Sequence, residues 1–527
     1  MESAIWHALD LGQTQNAVFL AQVLLSKGPT NSNRYILALA HLRAGGVHIA
    51  RSVAAPAKGH LPCAYIYAQC CLQLQRYQDG LRWLERVTVL STSIDGEDSR
   101  KMPDQAAVRC LLGHLARHTG DRKKALENYK AAVLASPYQW EAFEGLCAMG
   151  VEVRVEKIFN MEEEMEEADM DSRRSLRLRP ARGRIDGEGA SEKEIFQRVG
   201  RGVLHLSRFR CAEALQELTS LPHAQREIPY VLAKIGRAQF ELAEYTSAEQ
   251  TYAQLRLADP ARVQDMDYYS TLLWHLRKDV DLSYLGHEMV HLDRLAPETW
   301  CAIGNNFSLA RQHDKALRCF HRATGLDPAY AYAHTLQGHE HVVNEEFDKA
   351  QISFRAAIRV EPRHYNAWYG LGMVYLRTGE LDHALTHFRR ACEINPHNVV
   401  LACCIGMVYE RQDRMKEALQ QYTLACTISP PPAALPRFKK AKTLTALGMV
   451  AAALEEFVAL EQIAPDEANV HFMLGKLYKA VHEKPNAIRH FTIALNLDPK
   501  ASHLIKEAIE TLDAPDDGDM EQVYKNP

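Results

Sequence analysis

The stretch WYGLGMVY, residues 368–375, begins like a phosphate-cradling loop, with Gly370 and Gly372 as the first two glycines of a G-x-G-x-x-G. Tyr375 stands where the third glycine belongs. A second candidate is GHEHVVNEEF (338–347), which is similar to the H-E-x-x-H of zinc proteases. Its second histidine, His341, follows His339 by two positions instead of four, and side chains two apart leave a helix in different directions. His383 and His387 do have the spacing that puts two ligands on one helix face, but no third ligand is suggested beside them. The twelve cysteines fall singly or as adjacent pairs (Cys70–Cys71, Cys403–Cys404), never as C-x-x-C, and read as buried reduced thiols. No G-x-S-x-G, P-loop or kinase signature is present. The sequence thus predicts no enzyme, with no catalytic, cofactor-binding or metal-binding residues.

Glycine recurs in this chain at a fixed step. Gly304, Gly338, Gly372 and Gly406 lie 34 residues apart, as do Ala316, Ala350, Ala384 and Ala418, and Pro328, Pro362, Pro396 and Pro430. After one extra residue the pattern resumes through Ala453, Phe457 and Pro465, then Gly475, Ala487, Phe491 and Pro499. Proline is only 22 of 527 residues, so four at one step mark a repeat. Each unit reads as two antiparallel helices. Trp368, Leu371, Gly372 and Tyr375 occupy i, i+3, i+4 and i+7 of a first helix; Ala384, Phe388 and Ala391 stripe a second, which Pro396 ends. This is the tetratricopeptide pattern, and it predicts an all-α superhelical solenoid in which Gly372 exists for packing. The strongest units start at 297, 331, 365, 399, 434 and 468, with good ones from 229 and 106 and degenerate ones at 2–30, 33–58, 62–90, 194–222 and 263–296.

Four regions follow: an amino-terminal repeat block (1–150), a charged linker (151–193), a carboxy-terminal repeat block (194–500), and a capping helix with an acidic tail (501–527). The linker assignment rests on an acidic run, MEEEMEEADMD, followed by a basic one, RRSLRLRPARGR, with few aromatics to bury. At 527 residues, 47% hydrophobic and 24% charged, the chain has the composition of a soluble protein. A formal charge of −4 argues against a general grip on nucleic acid or anionic lipid. No apolar run approaches the roughly 20 residues that span a bilayer, and the first residues lack the look of a secretory signal.

A stacked array of helix pairs curves, and its first helices line the inner surface. The second, fifth, ninth and twelfth places of a unit face that groove. They give Glu298, Cys301, Asn305 and Ser308; then Tyr332, Thr335, His339 and Val342; then Asn366, Tyr369, Met373 and Leu376. Tyrosine, asparagine and histidine at such places can anchor a peptide by hydrogen bonds and aromatic contact.

Some of this sequence is more specific than the generic repeat. YYSTLLWHLRKDV (268–280), PETWCAIGNNFSLARQHDKAL, AYAHTLQGHE and IRVEPRHYNAWYGLGMVY strongly resemble the anaphase-promoting complex scaffold family of cell division cycle protein twenty-seven, or BimA. AIWHALDLGQTQNAVFLA and PYQWEAFEGLCAMG (137–150) resemble that family's amino-terminal repeats. The resemblance implies a non-catalytic arm of a nuclear, multi-subunit ubiquitin ligase of the cell cycle, dimerising through its amino-terminal repeats. It also implies that the carboxy-terminal groove captures the Ile-Arg tails of coactivators and of a core receptor subunit. On that reading Glu340 (or Glu345), His339 and Asn366, with Tyr369, Met373 and Leu376, supply an acid, donors and an apolar wall, with Asn305 beside them. Many members of the family carry a long insert between the repeat blocks; here about forty residues fill that place by the linker assignment. The alternative is a co-chaperone adaptor that clamps acidic carboxy-terminal peptides. Asn305 fits that pattern's ninth place, but Cys301 stands where its lysine belongs.

Overall fold

A computed structural model describes residues 1–57, 59–90, 103–159, 192–429, 434–498 and 502–510. Every regular element among them is a helix, and none is long and apolar enough to cross a membrane. The chain forms two units, Met1–Ala238 and Gln239–Pro527. In the first, Glu2–Asp10 pairs with Thr14–Lys27, Asn31–Arg43 with Val47–Ala54, Leu61–Gln73 with Tyr77–Leu90, and Gln105–His118 with Arg122–Ala135. In the second, Met266–His275 precedes Asp279–Leu292, and five uniform hairpins run from Pro297–Leu309 and His313–Leu326 to Ala434–Ala446 and Val450–Ile463. Ala468–Ala480 and Lys484–Leu497 form the last hairpin, and Ser502–Glu510 packs on it as the sequence predicts of a cap. The tetratricopeptide-repeat solenoid is therefore the fold, and the starts predicted for the strongest units, 297, 331, 365, 399, 434 and 468, are helix starts.

The 34-residue step is a packing device. Each second helix carries one large aromatic side chain, Phe320, Phe354, Phe388, Tyr422, Phe457 or Phe491, and all six are fully buried. Burial of each ring stabilises the fold by roughly 1.5–3 kcal/mol. For five of the six rings, all but Phe457, the space comes from glycine. A Cβ on Gly372 would stand 2.6 Å from the Phe388 ring, and one on Gly370 2.3 Å from Phe354 of the preceding unit. The pair that looked like a phosphate loop thus holds one ring from each of two units. A second repeated feature is the turn between helices, where the backbone turns left-handed. Gly379 takes that conformation (φ 85°), whereas Arg311, Glu345, Asp413 and His482 occupy the equivalent place at φ 58–62°.

The structure corrects the proposed linker in part. Residues 151–159 belong to the core of the first unit, with Val155, Ile158 and Phe159 buried and Val151 and Val153 packed against it. Trp140–Ala148 and the single turn Val155–Ile158 lead the chain back over the last hairpin, and Phe159 stacks on Phe196 at 5.9 Å. Helices Glu192–Ser207 and Cys211–Thr219, assigned from sequence to the linker's end and the second block, belong to this first unit instead. The charged runs of the linker, from 160 to 191, and the acidic tail from 511 lie outside the described residues.

Candidate peptide-binding site

In the carboxy-terminal unit the first helices Met266–His275, Pro297–Leu309, Ala331–Val343 and Tyr365–Thr378 stack in order, so their polar side chains share one surface. Asn305 lies buried there and donates both amide hydrogens, to Ser270 Oγ at 2.8 Å and Thr271 Oγ1 at 3.0 Å. Only its carbonyl oxygen is left for a ligand. Thr271 in turn meets the Tyr332 hydroxyl at 2.6 Å, and the Tyr332 ring packs on Tyr268 at 4.6 Å and on His364 at 6.2 Å. His339 stands edge-on to Phe354 at 5.1 Å and lies 6.5 Å from Tyr369. The Tyr365 hydroxyl donates to Glu241 Oε2 at 2.6 Å across 124 residues of chain, tying the last of these helices to the start of the unit.

Electrostatics divide this surface into an acidic and a neutral part. Burial, with the neighbouring Asp267, Asp327 and Asp265, pushes the Glu298 carboxyl up to about 7. Asp267 is itself buried and accepts a hydrogen bond from the Tyr330 hydroxyl. A carboxyl held partly protonated by burial and like charge is the group that an incoming cation would ionise. His339 is pushed the other way, down to about 4, by burial and then by His275, so its imidazole is neutral and carries one N–H donor at neutral pH. Burial also raises the Tyr369 phenol to about 12 and keeps it protonated.

The residues named from sequence separate into two sets. His339, Asn366, Tyr369 and Met373 are half-buried on the first helices, and the Asn366 side chain makes no hydrogen bond among the described residues. Glu340 does not join them. Its carboxylate is buried, takes the Ser308 hydroxyl, and lies 2.8 Å from His313 Nδ1, which fastens it to the neighbouring unit. Leu376 belongs to the core, with Cys301, Thr335 and Val342 equally buried. Glu345 is the exposed left-handed turn residue after the helix. The carboxyl groups that do lie together on the first helices are Glu298 and Asp267. Glu298 was legible as a second-place residue, whereas Asp267 lies in a degenerate unit with no register to expose it.

The protease-like triplet dissolves in the same way, with His339 against Phe354, Glu340 on Ser308 and His313, and His341 Nδ1 at 2.7 Å from Glu346. His387 stacks on Tyr375 at 5.2 Å, and His383 is largely exposed.

Fold and site together define a tetratricopeptide-repeat protein whose first helices carry a polar, aromatic surface. Residues 10–87 match the family described as anaphase-promoting complex, cyclosome, subunit 3, while 106–139 and 335–399 match tetratricopeptide-repeat families. Anaphase-promoting complex subunit 3 of Schizosaccharomyces pombe is 36% identical, over 100% of this chain and 99% of its own length. Protein bimA of Emericella nidulans is 43% identical across 61% of this chain and 40% of its own. Cell division cycle protein 27 homolog B of Arabidopsis thaliana is 41% identical across 63% of this chain and 45% of its own. The crystal structure of the APC/C hetero-tetramer Cut9-Hcn1 superposes with a TM-score of 0.63 over 96% of this chain and 95% of its own, at 18% identity, and so speaks for the fold alone. The chain belongs to the anaphase-promoting complex subunit 3 family.

Proposed function

We propose that this chain is a non-catalytic scaffold subunit of an anaphase-promoting complex, a ubiquitin ligase of the dividing cell, and that it acts in the nucleus. Its amino-terminal repeats form a homodimer. Its carboxy-terminal inner surface holds the Ile-Arg tails of coactivators and of a core receptor subunit. Full-length relatedness to an anaphase-promoting complex subunit carries the first part of this reading. The acidic pair beside neutral donors supports the second. Glu298 and Asp267 offer negative charge to a guanidinium, Asn366 and the His339 N–H offer donors to a terminal carboxylate, and Tyr369 with Met373 offers an apolar wall.

The test is fluorescence anisotropy with a labelled peptide ending in Ile-Arg. Replacing Asn366 and Tyr369 by alanine and Glu298 by glutamine should weaken binding by about 30-fold or more, the loss of one hot spot of about 2 kcal/mol. Unchanged affinity would refute the assignment. Preference for an acidic carboxy-terminal peptide would return the co-chaperone reading.

A further inference from the structure

The first unit brings together three side chains of the kinds that bind zinc, on a surface to which the proposed function gives no ligand. Cys110 and His114 are four apart on helix Gln105–His118 and share one face; Glu141 comes from the first turn of Trp140–Ala148. One ligand atom from each lies within 4.8 Å of the other two. His114 Nε2 is 3.4 Å from Cys110 Sγ and 3.6 Å from Glu141 Oε2. Tetrahedral zinc, with bonds of about 2.3 Å to sulfur and about 2.0–2.2 Å to nitrogen and oxygen, needs edges of about 3.6 Å and about 3.4 Å there. The two separations are thus within a few tenths of an ångström of what one ion requires.

The surroundings also suit a ligand set. His114 Nδ1 lies 3.0 Å from the Tyr129 hydroxyl, whose oxygen can accept the Nδ1 hydrogen and leave the Nε2 lone pair aimed at the cluster. Tyr129 is fully buried and wedged against Gly113 and Gly145, one on each of the two ligand-bearing helices. The Gln139 side chain lies beside Cys110, where its amide can donate to a thiolate ligand. Thiolate and imidazole in one set select a borderline-soft transition metal over magnesium or calcium. The second histidine cluster, Glu461 with His471 and His490, has a different geometry. Its two rings are nearly parallel with centroids 5.4 Å apart, and the two Nδ1 atoms, 3.1 Å apart, are taken up in a hydrogen bond with each other.

We propose that Cys110, His114 and Glu141 form a zinc site that clasps Gln105–His118 to Trp140–Ala148. Cys110 is buried and the Glu141 side chain is 74% exposed, so the fourth coordination position faces outward, open to water or to a partner's ligand.

The test uses the full chain stripped with a chelator and titrated with zinc alone by calorimetry, then with cobalt to record the thiolate charge-transfer band. One equivalent should bind, with the cobalt band present. Cys110→Ser should abolish the band, and Glu141→Gln should weaken zinc. Tyr129→Phe, which keeps the packing ring, should weaken zinc roughly tenfold by releasing His114. Far-UV circular dichroism identifies any variant that has unfolded, and Glu141→Gln, at an exposed position, keeps the question answerable in that event. Absence of stoichiometric binding would overturn the proposal. So would binding that survives both Cys110→Ser and Glu141→Gln, or that is lost only when His471 is replaced.

Discussion

Replacing Gly372 by alanine puts a methyl group where the Phe388 ring already lies. The added Cβ would meet Cδ1 and Cε1 at 2.6 Å and Cζ at 2.9 Å, against an ordinary carbon–carbon separation of roughly 3.5–4.0 Å. Phe388 is fully buried, so its ring has no free direction of retreat. Overpacking of this kind costs about 1–3 kcal/mol, while alanine recovers up to about 1 kcal/mol of helix propensity. The net expectation is a loss of about 0.5–2 kcal/mol. With Phe388→Ala already present the clash is gone, and Gly372→Ala should gain about 0.5–1 kcal/mol on a background weakened by about 3–5 kcal/mol. The same substitution thus changes sign with its neighbour, which is the coupling a double-mutant cycle measures. Stability in a repeat array is a sum over neighbouring units, so the assay is amide hydrogen exchange in helix Tyr365–Thr378, with denaturant titration of the whole chain beside it. An equal loss in both backgrounds would refute the claim that Gly372 is there to make room for the ring.

Four other perturbations follow from the same geometry. Phe159→Ala should destabilise the first unit by about 3–5 kcal/mol in a thermal melt, because residue 159 is core; a linker residue would leave the melt unchanged. Tyr365→Phe removes the bond to Glu241, a loss of about 1.5–3 kcal/mol for a bond to a charged acceptor, and should speed amide exchange at both partners. Glu298 has a folded pKa raised to about 7 from an ordinary 4.5, so the fold favours its protonated form. Its contribution is present below pH 4.5 and lost as pH rises through 7; Glu298→Gln should flatten that part of the stability profile, and an Ile-Arg peptide should bind more tightly at pH 8 than at pH 6. His339 has the opposite sign, with a folded pKa lowered to about 4, so its contribution is present above pH 6.5 and lost as pH falls through 4; His339→Phe should reduce the acid sensitivity of the melt.

The solenoid could be read from sequence because its packing repeats: one ring and one helix-ending proline per unit, with a glycine in all but the unit from 434, keep a common step, and each has a single physical use. Features outside that step were harder to see. Glu340 lies one residue beyond His339, a turn of about 100° on the helix, which carries it off the inner surface to Ser308 and His313. The core segment 151–159 alternates Val151 and Val153 in irregular backbone and then Val155 at the start of a single helical turn, a signal that the adjoining charge runs overwhelm. Asp267 owes its importance to Tyr330, 63 residues away, and no local pattern reports a contact of that range. The Cys110–His114 spacing is visible in the sequence, but Glu141 joins it only once two helices have packed.

The account's central claim is that this chain works by holding other subunits together. Purifying the tagged full-length chain from dividing cells and identifying what accompanies it tests that claim most directly. The account predicts recovery of a cullin-like and a RING subunit in constant proportion to the chain, with a second, untagged copy of the chain itself. Recovery of chaperones alone would contradict it.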